Sequence, residues 1–376
     1  MKVPFLDLRA QDAALGAELR AAIDGVLGSG QFILGPTLER FEAAMAEYAG
    51  VAHAIGVGSG TDALLIALHG LGVGPGRAVV TTPFTFFSTA STVLRLGGRV
   101  VFADIAPDTF NIDPVAVEEA IAGARDVIGI LPVHLFGRLA PMNDLAALAA
   151  RHGLWLLEDA AQAIGARADG RSAGTFGRAG VLSFYPTKNL GALGDGGMIL
   201  TGDDTLAAHA RRERHQGQTA AYVHASLGVC SRLDALQAAA LHVKLVRLEA
   251  WNARRREIAG WYGALLAEAR LTGDGNAPLV APGPAGAAHV FHQYVLRARD
   301  RDRLRTHLDA AGIATMVYYP APLHLQPALA GLGLRAGAFP EAERAAREVV
   351  ALPIYPELLR AQVETVVEAI AGFYRG

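Results

Sequence analysis

The 376-residue chain is expected to adopt an α/β fold: a large domain on a mostly parallel sheet, followed by a smaller C-terminal α/β domain. Three observations lead there. The length exceeds what one small core serves well. From about Val51 to Thr201, short apolar runs alternate with longer amphipathic stretches, the pattern of βαβ units around a sheet covered on both faces. A long helical segment and a Gly/Pro-rich passage then lead into a second, shorter alternation. The expected domains are residues 1–245, including the N-terminal segment, and 246–376.

The apolar runs are RAVVTT (77–82), GRVVFADI (98–105), DVIGILPVHLF (126–136), GLWLLEDA (153–160) and GVLSFYP (180–186). The helical stretches between them include DALLIALHGL (62–71), PVAVEEAIA (114–122) and DLAALAARHG (144–153). One long helix is expected over 233–269 and a loop over 271–290. A strand at 293–298, a helix at 300–311, the run IATMVYY (313–319), a strand MVYYPAPLH (316–324) and a terminal helix near 361–374 complete the smaller unit.

Composition narrows the function classes. With 52% hydrophobic and 19% charged residues and a mean hydropathy of +0.27, the chain buries a core and is not disordered. A formal net charge of -2 and a pI near 6.6 give no reason to expect a nucleic-acid or membrane partner. Two basic clusters, Arg211/Arg212/Arg214 and Arg254/Arg255/Arg256, read as solvated helix faces. The single cysteine, Cys230, excludes an internal disulfide, and no metal site is expected. Pro4 and Asp7 interrupt the start of the chain before an apolar leader can build up, so a cytoplasmic location is expected.

Three motifs carry chemistry. In VGSGTDALLIAL (57–68), Gly58 and Gly60 form a turn between a strand and a helix, with Ser59, Thr61 and Asp62 at the cap. Free amides at a helix start favour an anion such as a phosphate, although the same text also reads as an ordinary N-cap. In WLLEDAAQAIGA (155–166), an apolar strand ends in Asp159, with Gln162 following. A carboxylate there is costly without a cationic partner, and a pyridinium N–H is one candidate. In SFYPTKNLGALGDGGMI (183–199), Lys188 follows a strand between Pro186 and a run of glycines. Desolvation there lowers a lysine's pKa enough for Schiff-base chemistry, and Ser183 can offer a hydroxyl to a phosphate.

These segments, with TTPFTFFSTAST and SRLDALQAA, resemble the DegT/DnrJ/StrS sugar aminotransferases, from FLDL and FILGP near the start to LPIYPEL near the end. The resemblance implies the type I, aspartate aminotransferase-like fold of pyridoxal 5'-phosphate (PLP) transferases. It implies Lys188 as the residue that carries PLP and moves the proton, and Asp159 as partner of the pyridine nitrogen. Gln162 would lie by the ring, Phe86 would stack on it, and Gly60, Thr61 and Ser183 would hold the phosphate. Tyr185, Arg232, Tyr318, Tyr319 and His324 would meet the substrate. Relatives usually carry Asn in place of Cys230, where it reaches the phosphate across a homodimer with shared sites. A thiol is a weak donor, so looser phosphate anchoring is expected here.

SFYP followed by KNLGALGD resembles the branch acting on 3-keto sugars. The expected reaction is amination of a nucleotide-linked 3-keto-6-deoxyhexose, on dTDP, with L-glutamate as donor and 2-oxoglutarate as product. A UDP-linked 3-keto sugar acid, a 4-keto sugar, and a non-catalytic regulatory protein of the same fold stand as alternatives.

Overall fold

In a computed structural model, residues 2–273 and 275–375 are described. After helices α1 (Leu8–Ser29) and α2 (Pro36–Ala49), strands and helices alternate: β1 (His53–Val57), α3 (Gly60–Gly70), β2 (Ala78–Thr81), α4 (Ser88–Arg95), β3 (Arg99–Phe102), α5 (Pro114–Ala122), β4 (Val127–Leu131), α6 (Met142–His152) and β5 (Trp155–Asp159). A small hairpin, β6 (Arg167–Ala168) with β7 (Arg171–Ser172), precedes β8 (Ala179–Ser183), β9 (Gly197–Thr201) and α7 (Asp204–Glu213). A second hairpin follows, β10 (Gln218–Ala220) with β11 (Val223–His224), and then α8 (Ala235–Leu245).

Seven strands form one sheet in the order β1-β9-β8-β5-β4-β2-β3. Only β9 runs against the rest, antiparallel to both neighbours, while the other pairings are parallel. Alternation within each strand divides the side chains between two cores. Ile55, Val57, Val79, Val181 and Ile199 face α3, α4 and α7. Ala54, Val80, Leu156, Leu182 and Met198 face α2, α6 and α8. Both faces are covered, which is why the strands read as continuous apolar runs.

Local chemistry starts and stops the helices. Asp113 caps α5 through Val115 N, with Pro114 at the first helical position. Asp203 caps α7 through Thr205 N and Leu206 N. Gly153 ends α6 in the left-handed conformation at φ 65°.

A second core gathers on a three-stranded antiparallel sheet of β12 (Leu279–Val280), β13 (Tyr294–Ala298) and β14 (Val349–Leu352). Against it pack α9 (Leu248–Glu268), α10 (Arg301–Ala310) and α12 (Arg360–Arg375), and α11 (Pro340–Glu348) leads into β14. Val3 joins this core by exchanging backbone hydrogen bonds with Gly312 and Ala314. The first residues, grouped by sequence with the larger unit, thus lie against the smaller sheet.

Four expectations are corrected. The long helix at 233–269 is two helices, broken by a turn at 246–247. The loop at 271–290 holds the edge strand β12; Asp274 of that loop lies outside the described residues. The segment 313–324 is not a strand: Ile313 and Met316 make only isolated bridges, and Pro320 and Pro322 have no N–H to offer a ladder. The third strand of the smaller sheet is β14 instead. Finally, the arginine clusters are not wholly solvated. Arg214 is buried on Glu42 and the Gly56 carbonyl. Arg255 is buried on the carbonyls of Phe291 and Ile354, and desolvation pulls its pKa down to about 10.

Candidate active site

A cavity of about 530 Å³ opens at the carboxyl ends of the parallel strands, where β1, β2, β4, β5 and β8 each deliver the start of a loop. Ligand sites on open parallel sheets form at this edge.

The turn after β1 supplies one wall. Ser59 caps α3, its hydroxyl oxygen accepting from Asp62 N at 3.1 Å. Asp62 turns away from the cavity and accepts from the Ser231 hydroxyl at 2.8 Å, while Ser231 accepts from Gly58 N at 2.9 Å. The first-turn amides of Gly60 and Thr61 have no intrahelical acceptor. A Cβ on Gly60 would stand 2.8 Å from Ser183 Cβ, so glycine alone lets the turn lie against the end of β8. Gly60, Thr61 and Ser183 all line the cavity, and together they form a hydroxyl-and-amide cradle of anion-binding type.

Asp159, the last residue of β5, forms the floor and is 5% exposed. Its Oδ2 accepts from the Thr89 hydroxyl at 2.9 Å and its Oδ1 from Ala161 N at 3.2 Å. Burial raises its pKa against the pull of those hydrogen bonds and of Lys188 and His134. A cation seated against it would relieve that cost.

Lys188 sits in the loop between β8 and β9. Its backbone N–H closes a turn onto Tyr185 O at 2.8 Å. A Cβ on Gly191 would approach Pro186 O to 2.2 Å, which keeps the loop tight. The neighbouring Phe184 is fully buried and packs edge-on to Phe41 at 5.6 Å; burying such a ring contributes roughly 1.5–3 kcal/mol to holding the loop. Asn189 donates to Asn252 Oδ1 at 2.8 Å and to Val290 O at 3.2 Å. Desolvation, opposed by the Asp159 charge, brings the Lys188 ammonium down to about 8. An amine so placed is a nucleophile and proton carrier near neutral pH.

Between these walls, Gln162 accepts from Phe136 N at 2.7 Å and donates to the Tyr319 hydroxyl at 3.1 Å. The FTFF text divides: Phe84 is fully buried, whereas Phe86 is 57% exposed and lines the cavity. Tyr185, Tyr318 and Tyr319 stand on the remaining side.

Three expected residues are not brought to the cavity. The His324 ring is wholly buried and meets Glu343 at 3.0 Å, so in place of a substrate contact it holds α11. Arg232 donates to Cys230 Sγ at 3.0 Å, and neither lines this chain's cavity; Cys230 is exposed.

Several participants were missed. Thr89 lies in the FFSTAST text, where nothing in the sequence sets it apart from its neighbours. Glu158, completely buried beside Asp159, accepts from His134 Nε2 at 2.8 Å and from Gly174 N and Gly177 N. His134 Nδ1 in turn accepts from Ala140 N at 3.1 Å, so Nε2 carries the proton. His292 lines the cavity beside Lys188 and is held well below the ordinary histidine range by burial and by the Lys188 and Arg255 charges. The Glu-Asp pair at a strand end was the available signal for Glu158; His292 carried none.

An anion cradle, a buried carboxylate calling for a cation, an open aromatic face and a desolvated lysine together fit a phosphorylated pyridinium aldehyde.

Comparison with known proteins agrees. The family model for the DegT/DnrJ/EryC1/StrS aminotransferase family matches residues 13–371. A pleiotropic regulatory protein of Geobacillus stearothermophilus is 51% identical over 376 residues, covering 100% of this chain and 99% of the relative. The dTDP-3-amino-3,4,6-trideoxy-alpha-D-glucose transaminase of Streptomyces venezuelae is 46% identical over 369 residues, covering 98% and 95%. The crystal structure of S. venezuelae DesV in complex with a ketimine intermediate superposes with a TM-score of 0.95 at 44% identity, covering 100% and 99%.

Proposed function

The chain belongs to the DegT/DnrJ/EryC1/StrS aminotransferase family of PLP-dependent enzymes, and from that premise we propose that it aminates a nucleotide-linked 3-keto-6-deoxyhexose. The proposed carrier is dTDP, the donor L-glutamate and the by-product 2-oxoglutarate. The observation that carries the cofactor chemistry is Lys188 and the buried Asp159 lining one cavity, and the sugar class rests on the similarity to the Streptomyces venezuelae transaminase.

Gly60, Thr61 and Ser183 would hold the cofactor phosphate, Asp159 would pair with the ring nitrogen, Gln162 would lie beside the ring, and Phe86 would cover one face. Bound there, the cofactor supplies an electron sink for negative charge on the amino-bearing carbon. Lys188 would hold the cofactor, and its Nζ would accept and return a proton as a base near its operating pH. Thr89 fixes the Asp159 carboxylate so that its charge faces the cavity. Tyr185, Tyr318 and Tyr319 offer hydroxyls and aromatic faces to a sugar. His324 and Arg232 are left out of this chain's own contact set, Arg232 being available across a subunit boundary in a homodimer.

The turn at 246–247 separates the proposed large unit from the small one. The proposed setting is cytoplasmic; no described helix is long and apolar enough to cross a membrane.

The regulatory name of the Geobacillus relative favours a second reading, a PLP-fold protein that binds without turning over; an intact Lys188, Asp159 and Gln162 set speaks for catalysis. The test is incubation of holoenzyme with L-glutamate and dTDP- or UDP-linked 3-keto and 4-keto sugars, read by mass. Conversion of the dTDP-3-keto sugar is expected. Preference for another sugar would reassign the substrate, and no conversion of any would favour the binding role.

A further inference from the structure

On the far side of the sheet's α3–α7 layer, His69, His209 and Glu213 bring three ligand atoms within 4.8 Å of one another, and we infer that they bind a divalent transition ion of the zinc, cobalt or nickel class.

Helix geometry creates the cluster. His69 stands in the last turn of α3, and His209 and Glu213 are one turn apart on α7, so the latter two project from one face. Gly70 permits the approach: a Cβ there would lie 2.5 Å from Leu206 Cδ1 and 2.7 Å from His209 Cδ2. A side chain at that position would force Leu206 and the His209 ring to move.

The polar atoms are incompletely used. Glu213, 7% exposed, meets His69 Nδ1 through Oε1 at 3.1 Å. Its other oxygen, Oε2, and Nε2 of His209 are both buried and, among the described residues, have no hydrogen-bond partner. They face each other at 3.9 Å. That is too long for a hydrogen bond and slightly wider than the spacing of about 3.4 Å between two ligands on a tetrahedral ion bound at about 2.1 Å. An ion between them would satisfy both.

The donor set selects the ion class. Two imidazole nitrogens and one carboxylate oxygen suit a borderline metal and not magnesium or calcium, which take oxygen ligands. Burial holds His209 below the ordinary histidine range, against the opposing pull of Glu213, so its lone pair is available at neutral pH. Arg212 and His69 also bear on His209, and the Glu213 carboxylate offsets their charge. The His69 side chain is 43% exposed, which leaves an entry path and a fourth position for water. The ion would clamp α3 to α7. The anion turn lies at the opposite end of α3, roughly 14 Å away at 1.5 Å per residue, so the role is structural and independent of the proposed reaction.

The test is calorimetric titration of tag-free, chelator-treated holoenzyme with zinc, alongside His69→Ala and His209→Ala, with cobalt as an optical probe. One zinc per chain is expected, bound at least roughly tenfold more weakly in either variant. Zinc should raise the unfolding midpoint of the native protein only, cobalt should give a tetrahedral visible spectrum, and His69→Ala should keep its transaminase turnover. Because His69 lies at the surface, its variant keeps the test decisive should His209→Ala fail to fold. No zinc uptake by the native protein, or equal uptake by His69→Ala, overturns the inference; zinc bound through the cofactor would give the second result.

Discussion

The Thr89 hydroxyl donates to Oδ2 of Asp159 at 2.9 Å, tying the first turn of α4 to the last residue of β5. Thr89 is itself fully buried and lies 3.3 Å from the Thr85 hydroxyl, so its hydroxyl is held between Thr85 and the carboxylate. The Asp159 charge is thereby aimed into the cavity before any ligand arrives.

Replacing Thr89 by valine keeps the volume and removes the donor. A lost hydrogen bond to a charged group costs about 1.5–3 kcal/mol, which corresponds to roughly 10- to 150-fold weaker cofactor retention. Titration of apo-protein with PLP, followed in the visible, measures it; unchanged retention would remove Thr89 from the positioning role.

Removing the carboxylate itself should cost more. Asp159→Ala takes away the partner of the ring nitrogen, and a loss of several kcal/mol, on the order of 10³-fold or more in kcat, is expected. Turnover close to that of the native enzyme would contradict the assignment of Asp159.

The Lys188 shift gives a pH prediction. Its pKa is lowered to about 8, so the amine gains its proton only below about pH 8 and is neutral above it. An ordinary lysine stays protonated to about 10.4. The rate of PLP attachment to apo-protein should therefore rise from pH 6.5 and level off above about 8. A rise that continues through pH 10 would show that burial does not tune this lysine.

Cys230→Asn should tighten PLP binding in the assembled protein, because an amide donates more strongly than a thiol. Cys230 is outside its own chain's cavity, so the gain requires a subunit boundary beside it. Equal or weaker retention in this variant would show that position 230 does not serve the phosphate.

Much of this was legible in the sequence because periodicity and strand-end chemistry are local properties. The apolar runs at 153–160 and 180–186 announce strands, which end at Asp159 and Ser183, and the glycines at 58 and 60 announce a turn. What failed was decided by distant partners. Arg214 and Arg255 sit in basic, helix-like text that predicts a solvated face, yet acceptors on remote segments draw them inside. His324 follows Tyr318 and Tyr319 in the text, yet Glu343 on α11 claims its ring. The break at 246–247 carries no proline or glycine, so neither standard punctuation mark was there to read. The meeting of His69 with Glu213, 144 residues further along the chain, is visible only once α3 and α7 touch.

The most direct measurement is borohydride reduction of the holoenzyme followed by peptide mass mapping. The predicted result is a phosphopyridoxyl adduct on the peptide containing Lys188, absent from Lys188→Ala and lost when glutamate is added before reduction. A holoenzyme whose reduced peptides carry no adduct, or carry it on another lysine, would contradict the assignment of this cavity as the seat of the chemistry.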